Sequence, residues 1–161
     1  MSGVFTRLVG QSAVESELVA AARAARGDSA HGAGESGSMT HAWLITGPPG
    51  SGRSIAAMCF AAALQCTGDG VPGCGRCRAC TTTPAATHPD VRRIVPEGLS
   101  IGVDEMRTIV ATASRRPSTG RWQIVVIEDA DRLTEGAGNA LLKVVEEPPP
   151  STVFLLCAPS V

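Results

Sequence analysis

The chain has 161 residues, a length that fits one domain with its own core. Its formal net charge is -1 and 18% of its residues are charged, so no overall basic field draws it to nucleic acid or to an anionic membrane surface. Apolar residues make up 43% of the chain but include only 3 Phe, 2 Trp and no Tyr, which favours helices and buried parallel strands over a platform for stacked bases.

The sequence lacks the features of a signal peptide and of a membrane helix. Its amino terminus has no basic stretch followed by an apolar run, and no window approaches the ~20 apolar residues of a membrane span. We therefore expect a cytoplasmic protein with no membrane contact. In that reducing compartment the 6 cysteines are expected to bind metal or to be buried, not to form disulfides.

The first predicted element is a helix over residues 12–26, where apolar residues recur at helical intervals. Ser12 is its predicted N-cap and Gly27 its stop. The Gly- and Ser-rich stretch at 27–39 has no periodicity and predicts a mobile surface loop.

The rest of the chain alternates predicted strands and helices. In order they are a strand at 42–46, a helix at 54–66, a strand at 91–95, a helix at 102–116, a strand at 122–127, a helix at 133–147 and a strand at 152–157. The run at 122–127 is continuously apolar, as in a strand buried on both faces of a parallel sheet. The pattern predicts an α/β fold with a doubly wound sheet, whose ligands bind at the carboxyl ends of the strands.

Residues 47–54, GPPGSGRS, match the phosphate-loop pattern GxxxxGKS/T except that Arg53 replaces the lysine. The three glycines allow the backbone N–H groups to turn inward, and the following helix adds the positive end of its dipole. The loop is therefore an anion nest of P-loop NTPase shape. Its candidate nucleotide-binding residues are Gly47, Gly50, Gly52, Arg53 and Ser54.

Two features argue against ATP hydrolysis, one in this loop and one in the acidic pair after the strand at 122–127. Arginine is a wide planar fork and does not replace the compact charge of lysine beside the outer phosphates. The acidic pair after the strand at 122–127 has the order Glu128 then Asp129, where an Asp for the metal and then a Glu for the attacking water are expected. We predict a P-loop kept for its shape, with no catalytic residue and no tight binding of magnesium ATP; weak nucleotide binding and a working ATPase are the alternatives.

Four cysteines form the strongest metal-binding pattern. Cys66, Cys74, Cys77 and Cys80 have the spacing C-x7-C-x2-C-x2-C, which supplies four thiolates for one structural zinc ion in a module at 66–80. An iron–sulfur cluster and a thiol redox pair are weaker alternatives, because a closed four-ligand set leaves no spare thiolate.

The remaining cysteines and one histidine are interpreted without a metal. Cys59 lies within a predicted helix and Cys157 within a buried strand, so both are predicted to be small core residues. His88 is predicted to take a turn or hydrogen-bonding role rather than to replace a cysteine at zinc.

Several stretches resemble the AAA+ ATPases of the bacterial DNA polymerase III clamp loader, and within them the delta-prime group. They are LVGQ, HAWLITGPPGSGRS, the four-cysteine insertion after the P-loop helix, THPD, IGVDEMR and VIEDADRLTEGAGNALLKVVEEPP. The NALLKxxEEPP segment at 139–149 is specific to this family, and the zinc module is shared by its gamma/tau and delta-prime members. Arg53, the order Glu128 then Asp129, and Cys157 near the position of a sensor Thr or Asn favour delta-prime.

The resemblance implies an AAA+ domain I over residues 1–161, incomplete at its carboxyl side, with lid and collar domains absent and the isolated domain monomeric. It implies a stator role in a hetero-pentamer with gamma/tau and delta subunits, which places the sliding clamp on primed DNA. The subunit itself is not expected to be catalytic, although the polymerase holoenzyme is a nucleotidyltransferase complex. In the family an arginine in an SRC motif reaches into the neighbour's ATP site, and this chain stops at Val161 before such a motif.

Two other functions stay open at this point. An active gamma/tau-like ATPase would require Arg53 to substitute for lysine. A free-standing zinc-binding α/β module would have no role in replication.

Overall fold

The computed structural model describes residues 3–27, 40–48, 50–96 and 98–159. The predicted mobile loop at 27–39 lies outside the described residues apart from Gly27. The helices and strands are α1 Ser12–Arg26, β1 Ala42–Thr46, α2 Arg53–Gln65, α3 Arg78–Thr82, β2 Val91–Ile94, α4 Val103–Ala113, β3 Gln123–Ile127, α5 Glu135–Glu146 and β4 Thr152–Ala158, with 3-10 turns at Val4–Arg7 and Ala130–Arg132.

The four strands form one parallel sheet in the order β1-β4-β3-β2. Ala42 of β1 lies opposite Phe154 of β4, and Val91 of β2 lies opposite Ile124 of β3. Every residue of β3 is buried, as the continuous apolar run predicts. The predicted α/β fold with a parallel sheet is thus confirmed.

Helices cover both faces of the sheet, because successive strand side chains point to opposite sides. Ile124 and Val126 of β3 belong to the core shared with α1 and α2. Val125 and Ile127 belong to the core shared with α4 and α5. The two-sided packing is the doubly wound arrangement expected from alternating strands and helices.

Several predicted element ends are wrong by a few residues. Ser12 is the first helical residue of α1 and makes no capping hydrogen bond, since Gln11 occupies the N-cap; Gly27 ends the helix in the left-handed conformation, as predicted. Helix α5 begins only after Thr134, whose hydroxyl accepts from the Ala137 N–H at 3.1 Å. An oxygen in that position satisfies one of the free N–H groups of the first helical turn.

Helix α4 ends at Ala113, three residues before the predicted boundary at 116. Two contacts from other parts of the chain hold this end. The Thr152 hydroxyl donates to the Ala113 carbonyl at 2.7 Å. The loop beyond α4 wraps around the Asp90 carboxylate, which accepts from the N–H groups of Ser118 at 2.7 Å and Gly120 at 2.6 Å. These long-range bonds outweigh the local helical pattern.

Among the helices in the described ranges, none is both long and apolar enough to span a membrane.

Candidate nucleotide loop and metal centre

The glycine-rich loop connects the carboxyl end of β1 to the first turn of α2. Gly50 and Gly52 adopt left-handed backbone angles, with φ of 84° and 93°, which residues with a Cβ rarely take. A Cβ at Gly47 would overlap the Ser51 hydroxyl. Gly52 is the N-cap of α2, so the positive end of that helix lies at the loop, as the sequence predicts.

Arg53 folds back over the loop that precedes it. Its Nη1 donates to the Gly47 carbonyl at 2.7 Å, and its Nη2 lies 3.4 Å from Oδ1 of Asp129. The side chain is only 13% exposed. Arg53 therefore connects the first residue of the loop to the acidic segment after β3.

Ser54 and Glu128 form a second pair beside the first. The Ser54 hydroxyl donates to the Glu128 carboxylate, and Nε of Arg93 donates to Oε1 of Glu128 at 2.7 Å. Glu128 is 12% exposed. The guanidinium groups of Arg53 and Arg93 thus balance the carboxylates of Glu128 and Asp129.

The structure brings all the predicted nucleotide-loop residues together with both acidic residues, and it adds Arg93. The sequence signal for Arg93 is weak, because VRRIV at 91–95 has two consecutive arginines and only one of them can face the acidic end of β3. The parallel register of β2 with β3, in which Ile94 pairs with Ile127, decides that Arg93 does so.

The cavity beside the loop is small. Its volume is about 240 Å³, below the range of roughly 300–1,000 Å³ that is usual for ligand pockets. Its lining includes Leu8, Ile45, Gly47, Gly52 and Arg53.

A buried thiol in β4 lies beside Arg53. Cys157 is fully buried in β4, and its Sγ lies 3.8 Å from the Arg53 carbonyl. Burial raises the pKa of this thiol to about 11. Cys59 is likewise buried in α2, and burial raises its pKa to about 11. Both cysteines are core residues, as predicted.

The four cysteines predicted to bind metal converge. Cys66 is the C-cap of α2, and Cys77 is the N-cap of α3, a helix that the sequence pattern did not predict. The sulfur atoms of Cys66, Cys74, Cys77 and Cys80 all lie within 4.8 Å of one another, and those of Cys66 and Cys77 are 3.9 Å apart. Tetrahedral zinc with Zn–S bonds of about 2.3 Å requires sulfur separations of about 3.8 Å. The cluster therefore has the size to hold a metal ion.

Backbone N–H groups of the loop point at the sulfur atoms. The Cys74 N–H donates to Sγ of Cys66 at 3.5 Å, and the N–H groups of Arg76 and Cys77 donate to Sγ of Cys74 at 3.4 and 3.3 Å. Such donors stabilise thiolates, the form that binds metal.

The thiol pKa values reflect burial and these hydrogen bonds. Burial raises the pKa of Cys66 and of Cys77, but hydrogen bonds outweigh it, so that both pKa values lie below the ordinary value and that of Cys77 is about 6. Burial and the neighbouring Cys66 and Cys77 raise the pKa of Cys80. A bound cation would offset this repulsion among close thiolates, so the donor set fits a divalent metal.

His88 lies outside the cysteine cluster. Its Nδ1 accepts from the Asp90 N–H at 3.0 Å, which fixes the turn before β2. Burial lowers the pKa of the imidazole. The predicted hydrogen-bonding role is confirmed.

The sequence is similar to known replication proteins. The family model described as "DNA polymerase III, delta subunit" matches residues 29–161. DNA polymerase III subunit delta' of Haemophilus influenzae is 39% identical over 121 residues, 74% of this chain and 37% of that protein. The delta' subunit of Escherichia coli is 37% identical over 125 residues, 76% of this chain and 37% of that protein. The chain thus spans little more than a third of these relatives.

Relatives named as gamma/tau or gamma subunits match as well. The gamma/tau subunit of Mycobacterium bovis is 30% identical over 153 residues, 94% of this chain and 24% of that protein. The crystal structure of a DNA polymerase III gamma subunit-related protein from Thermotoga maritima superposes with a TM-score of 0.51 at 27% identity, covering 74% of this chain and 35% of that one. The fold, the loop and the family match agree, and the chain belongs to the DNA polymerase III delta-subunit family of clamp-loader proteins.

Proposed function

We propose that residues 1–161 are the AAA+ domain I of a clamp-loader subunit of the delta-prime type, which holds one zinc ion and does not hydrolyse ATP. The observation that carries this proposal is a network of two adjacent pairs, Arg53 with Asp129 and Ser54 with Glu128. The groups that a magnesium nucleotide would need are bonded to one another.

Binding of magnesium ATP would have to disrupt this network. The Ser54 hydroxyl would leave Glu128, and the Arg53 guanidinium would leave the Gly47 carbonyl and Asp129. Each hydrogen bond to a charged group contributes about 1.5–3 kcal/mol. Arginine also lacks the compact charge that lysine places beside the outer phosphates. Both costs favour a subunit that positions a neighbour over one that turns over nucleotide.

The names of the relatives support the proposed partners. Proteins named as delta', tau and gamma/tau subunits of DNA polymerase III match this chain. We infer a cytoplasmic stator that joins gamma/tau and delta subunits in a hetero-pentamer, with lid and collar domains in the remainder of the whole protein. Through that assembly it acts on the sliding clamp and on primed DNA.

The zinc assignment rests on the donor set. Four thiol sulfurs within 4.8 Å supply a complete tetrahedral shell with no position left for a substrate, which is typical of structural zinc. The ion would be held by Cys66, Cys74, Cys77 and Cys80. Its role would be structural, because its ligands connect the end of α2 to α3.

A gamma/tau-like ATPase is the second candidate, supported by the match to gamma/tau over 94% of the chain. Phosphate release by the full-length protein distinguishes the two, with Ser54→Ala as background and Arg53→Lys as the comparison. We expect the natural protein to release no more phosphate than Ser54→Ala. Turnover clearly above that background would contradict the stator proposal.

Association tests the role in the loader. Full-length protein mixed with its gamma/tau partner should co-elute as one complex in size-exclusion chromatography, whatever the nucleotide loop does. Failure to associate would contradict the stator role and leave only the fold and the family membership.

A further inference from the structure

The amino-terminal segment, residues 3–8, lies between the cysteine-containing loop at 66–77, here called the metal loop, and the glycine-rich loop at 47–54, here called the nucleotide loop. The Val4 N–H donates to the Gly73 carbonyl of the metal loop at 3.1 Å. The Val4 carbonyl accepts from Sγ of Cys59 in α2 at 3.2 Å. Val4, Phe5 and Leu8 are all buried in the core beside α2. The segment is therefore held from two sides.

The contact with the metal loop is tightly packed. A Cβ at Gly73 would lie 2.9 Å from Cγ2 of Val4 and 3.3 Å from Cε2 of Phe5. A Cβ at Gly3 would overlap the Gly73 carbonyl oxygen, and one at Gly75 would lie 3.0 Å from the Gly3 Cα. A Cβ at Gly3 would therefore require the backbone at Gly73 to shift, and a Cβ at Gly73 would require the Val4 side chain to move.

The other end of the segment reaches the nucleotide loop. Leu8 lines the cavity beside that loop, and its Cδ1 lies 3.6 Å from the position of a Cβ on Gly52. Gly52 is the N-cap of α2 and precedes Arg53. The position of Leu8 therefore contributes to the floor beneath the loop.

A short glycine-rich loop has little core of its own and takes its order from the metal. Gly73 directly precedes Cys74, and Gly75 directly follows it. The carbonyl that binds the Val4 N–H is thus placed by a candidate metal ligand. We infer that metal binding at the four cysteines latches residues 3–8 against α2, and through Leu8 holds the floor of the nucleotide loop.

The inference rests on the proposed metal site, and amide hydrogen exchange of the full-length protein tests it with and without metal. Metal content is measured first. Removing the metal with a chelator should speed exchange of residues 3–8 and 50–54 by about tenfold or more, while β3 changes little, since loss of a local contact opens that unit alone. Unchanged exchange at 3–8 in metal-free protein would overturn the latch, whereas a chain that never holds metal would refute the metal site itself.

Matched glycine variants separate the latch from loss of metal. Gly73→Ala and Gly70→Ala share a left-handed backbone, with φ of +86° and +87°, but only a Cβ at Gly73 meets the amino-terminal segment. Both variants should retain their metal. Gly73→Ala should exchange faster at residues 3–8, whereas exchange there should be unchanged in Gly70→Ala. Equal exchange in the two variants would contradict the inference.

A second pair of variants, Gly3→Ala and Gly10→Ala, tests the same contact with substitutions outside the metal loop. Gly3→Ala would meet the Gly73 carbonyl, whereas Gly10→Ala, also at positive φ, meets nothing within 4 Å. We expect faster exchange at the nucleotide loop only in Gly3→Ala, with metal content unchanged in both. This pair keeps the inference testable even if Gly73→Ala does not fold, and identical exchange in the pair would refute it.

Discussion

Arg93 and Glu128 connect two neighbouring strands at the edge of the nucleotide loop. Nε of Arg93, in β2, lies 2.7 Å from Oε1 of Glu128, which directly follows β3. Glu128 accepts from the Ser54 hydroxyl at the same time. This carboxylate thus has a structural role between a strand and the first turn of α2.

Replacing Arg93 by glutamine should weaken this connection. Arg93 is 47% exposed, so solvent screens the pair, and we expect the free energy of unfolding to fall by only about 0.5–1 kcal/mol. Urea denaturation measures the change. Arg92→Gln is the matched control, because Arg92 is exposed on the other side of the same strand. An equal effect of both substitutions would contradict a specific role for Arg93.

Asp90 should be essential for the loop at 118–120. The carboxylate is 1% exposed and accepts three backbone N–H groups, so Asp90→Asn should lower the free energy of unfolding by about 2–3 kcal/mol. Asp104→Asn is the control, because that carboxylate is 95% exposed beside Arg107. Thermal denaturation of both variants against the natural protein measures the difference, and similar melting temperatures for the two would count against this role.

The same carboxylate should make stability depend on pH. Burial alone would raise the pKa of Asp90, but the N–H groups of Ser118, Gly120 and Thr119 outweigh burial and hold it below its ordinary value of 3.8. A lowered folded-state pKa gives stability that is present above the unfolded pKa and lost as pH falls through the folded one. Urea midpoints measured from pH 6 down to pH 2 should therefore fall more steeply in the natural protein than in Asp90→Asn. Parallel curves would refute this assignment.

Metal binding should depend on the four clustered cysteines alone. Cys77→Ser should lose the metal, because serine offers no thiolate to complete the shell. Cys157→Ala should keep it, since that thiol is buried in β4, away from the cluster. Elemental analysis of purified full-length protein checks both, with about one zinc per chain expected in the natural protein. Retention of a full zinc ion by Cys77→Ser would contradict a site that needs all four thiols.

Gly120 should be intolerant of a side chain. A Cβ there would lie 2.5 Å from Oε1 of the buried Gln65, which accepts from the N–H groups of Arg121 and Trp122. Gly120→Ala should therefore lower the free energy of unfolding by about 1–3 kcal/mol. A Cβ at Gly98 meets nothing within 4 Å, so Gly98→Ala should have little effect in the same denaturation experiment. Comparable losses in the two variants would contradict the predicted clash.

Local patterns predicted most elements but not their ends. The strand at 122–127 begins one residue later, at Gln123, because both the N–H and the carbonyl of Trp122 are bonded to Gln65. Helix α4 ends three residues earlier than predicted for a similar reason, since Thr152 and Asp90 fix its end. In each case a polar side chain distant in sequence competes with the local backbone preference.

The cysteine cluster was predictable because its four ligands lie between positions 66 and 80, so their spacing alone nearly determines the shell. The identity of the nucleotide-loop residues was equally visible, since a strand, glycines and a helix follow one another along the chain. Arg93 was not, because its side of the strand depends on the register between β2 and β3.

The sequence by itself determined the parallel α/β fold, the phosphate-loop shape with Arg53 in place of lysine, and the set of four thiols. These features arise from periodicity and spacing within short stretches. Only the tertiary structure decided that Arg53 pairs with Asp129 and Ser54 with Glu128. It also decided that residues 3–8 lie between the two loops. Such contacts join residues distant in sequence, and their geometry exists only once the strands have paired and the helices have packed on the sheet.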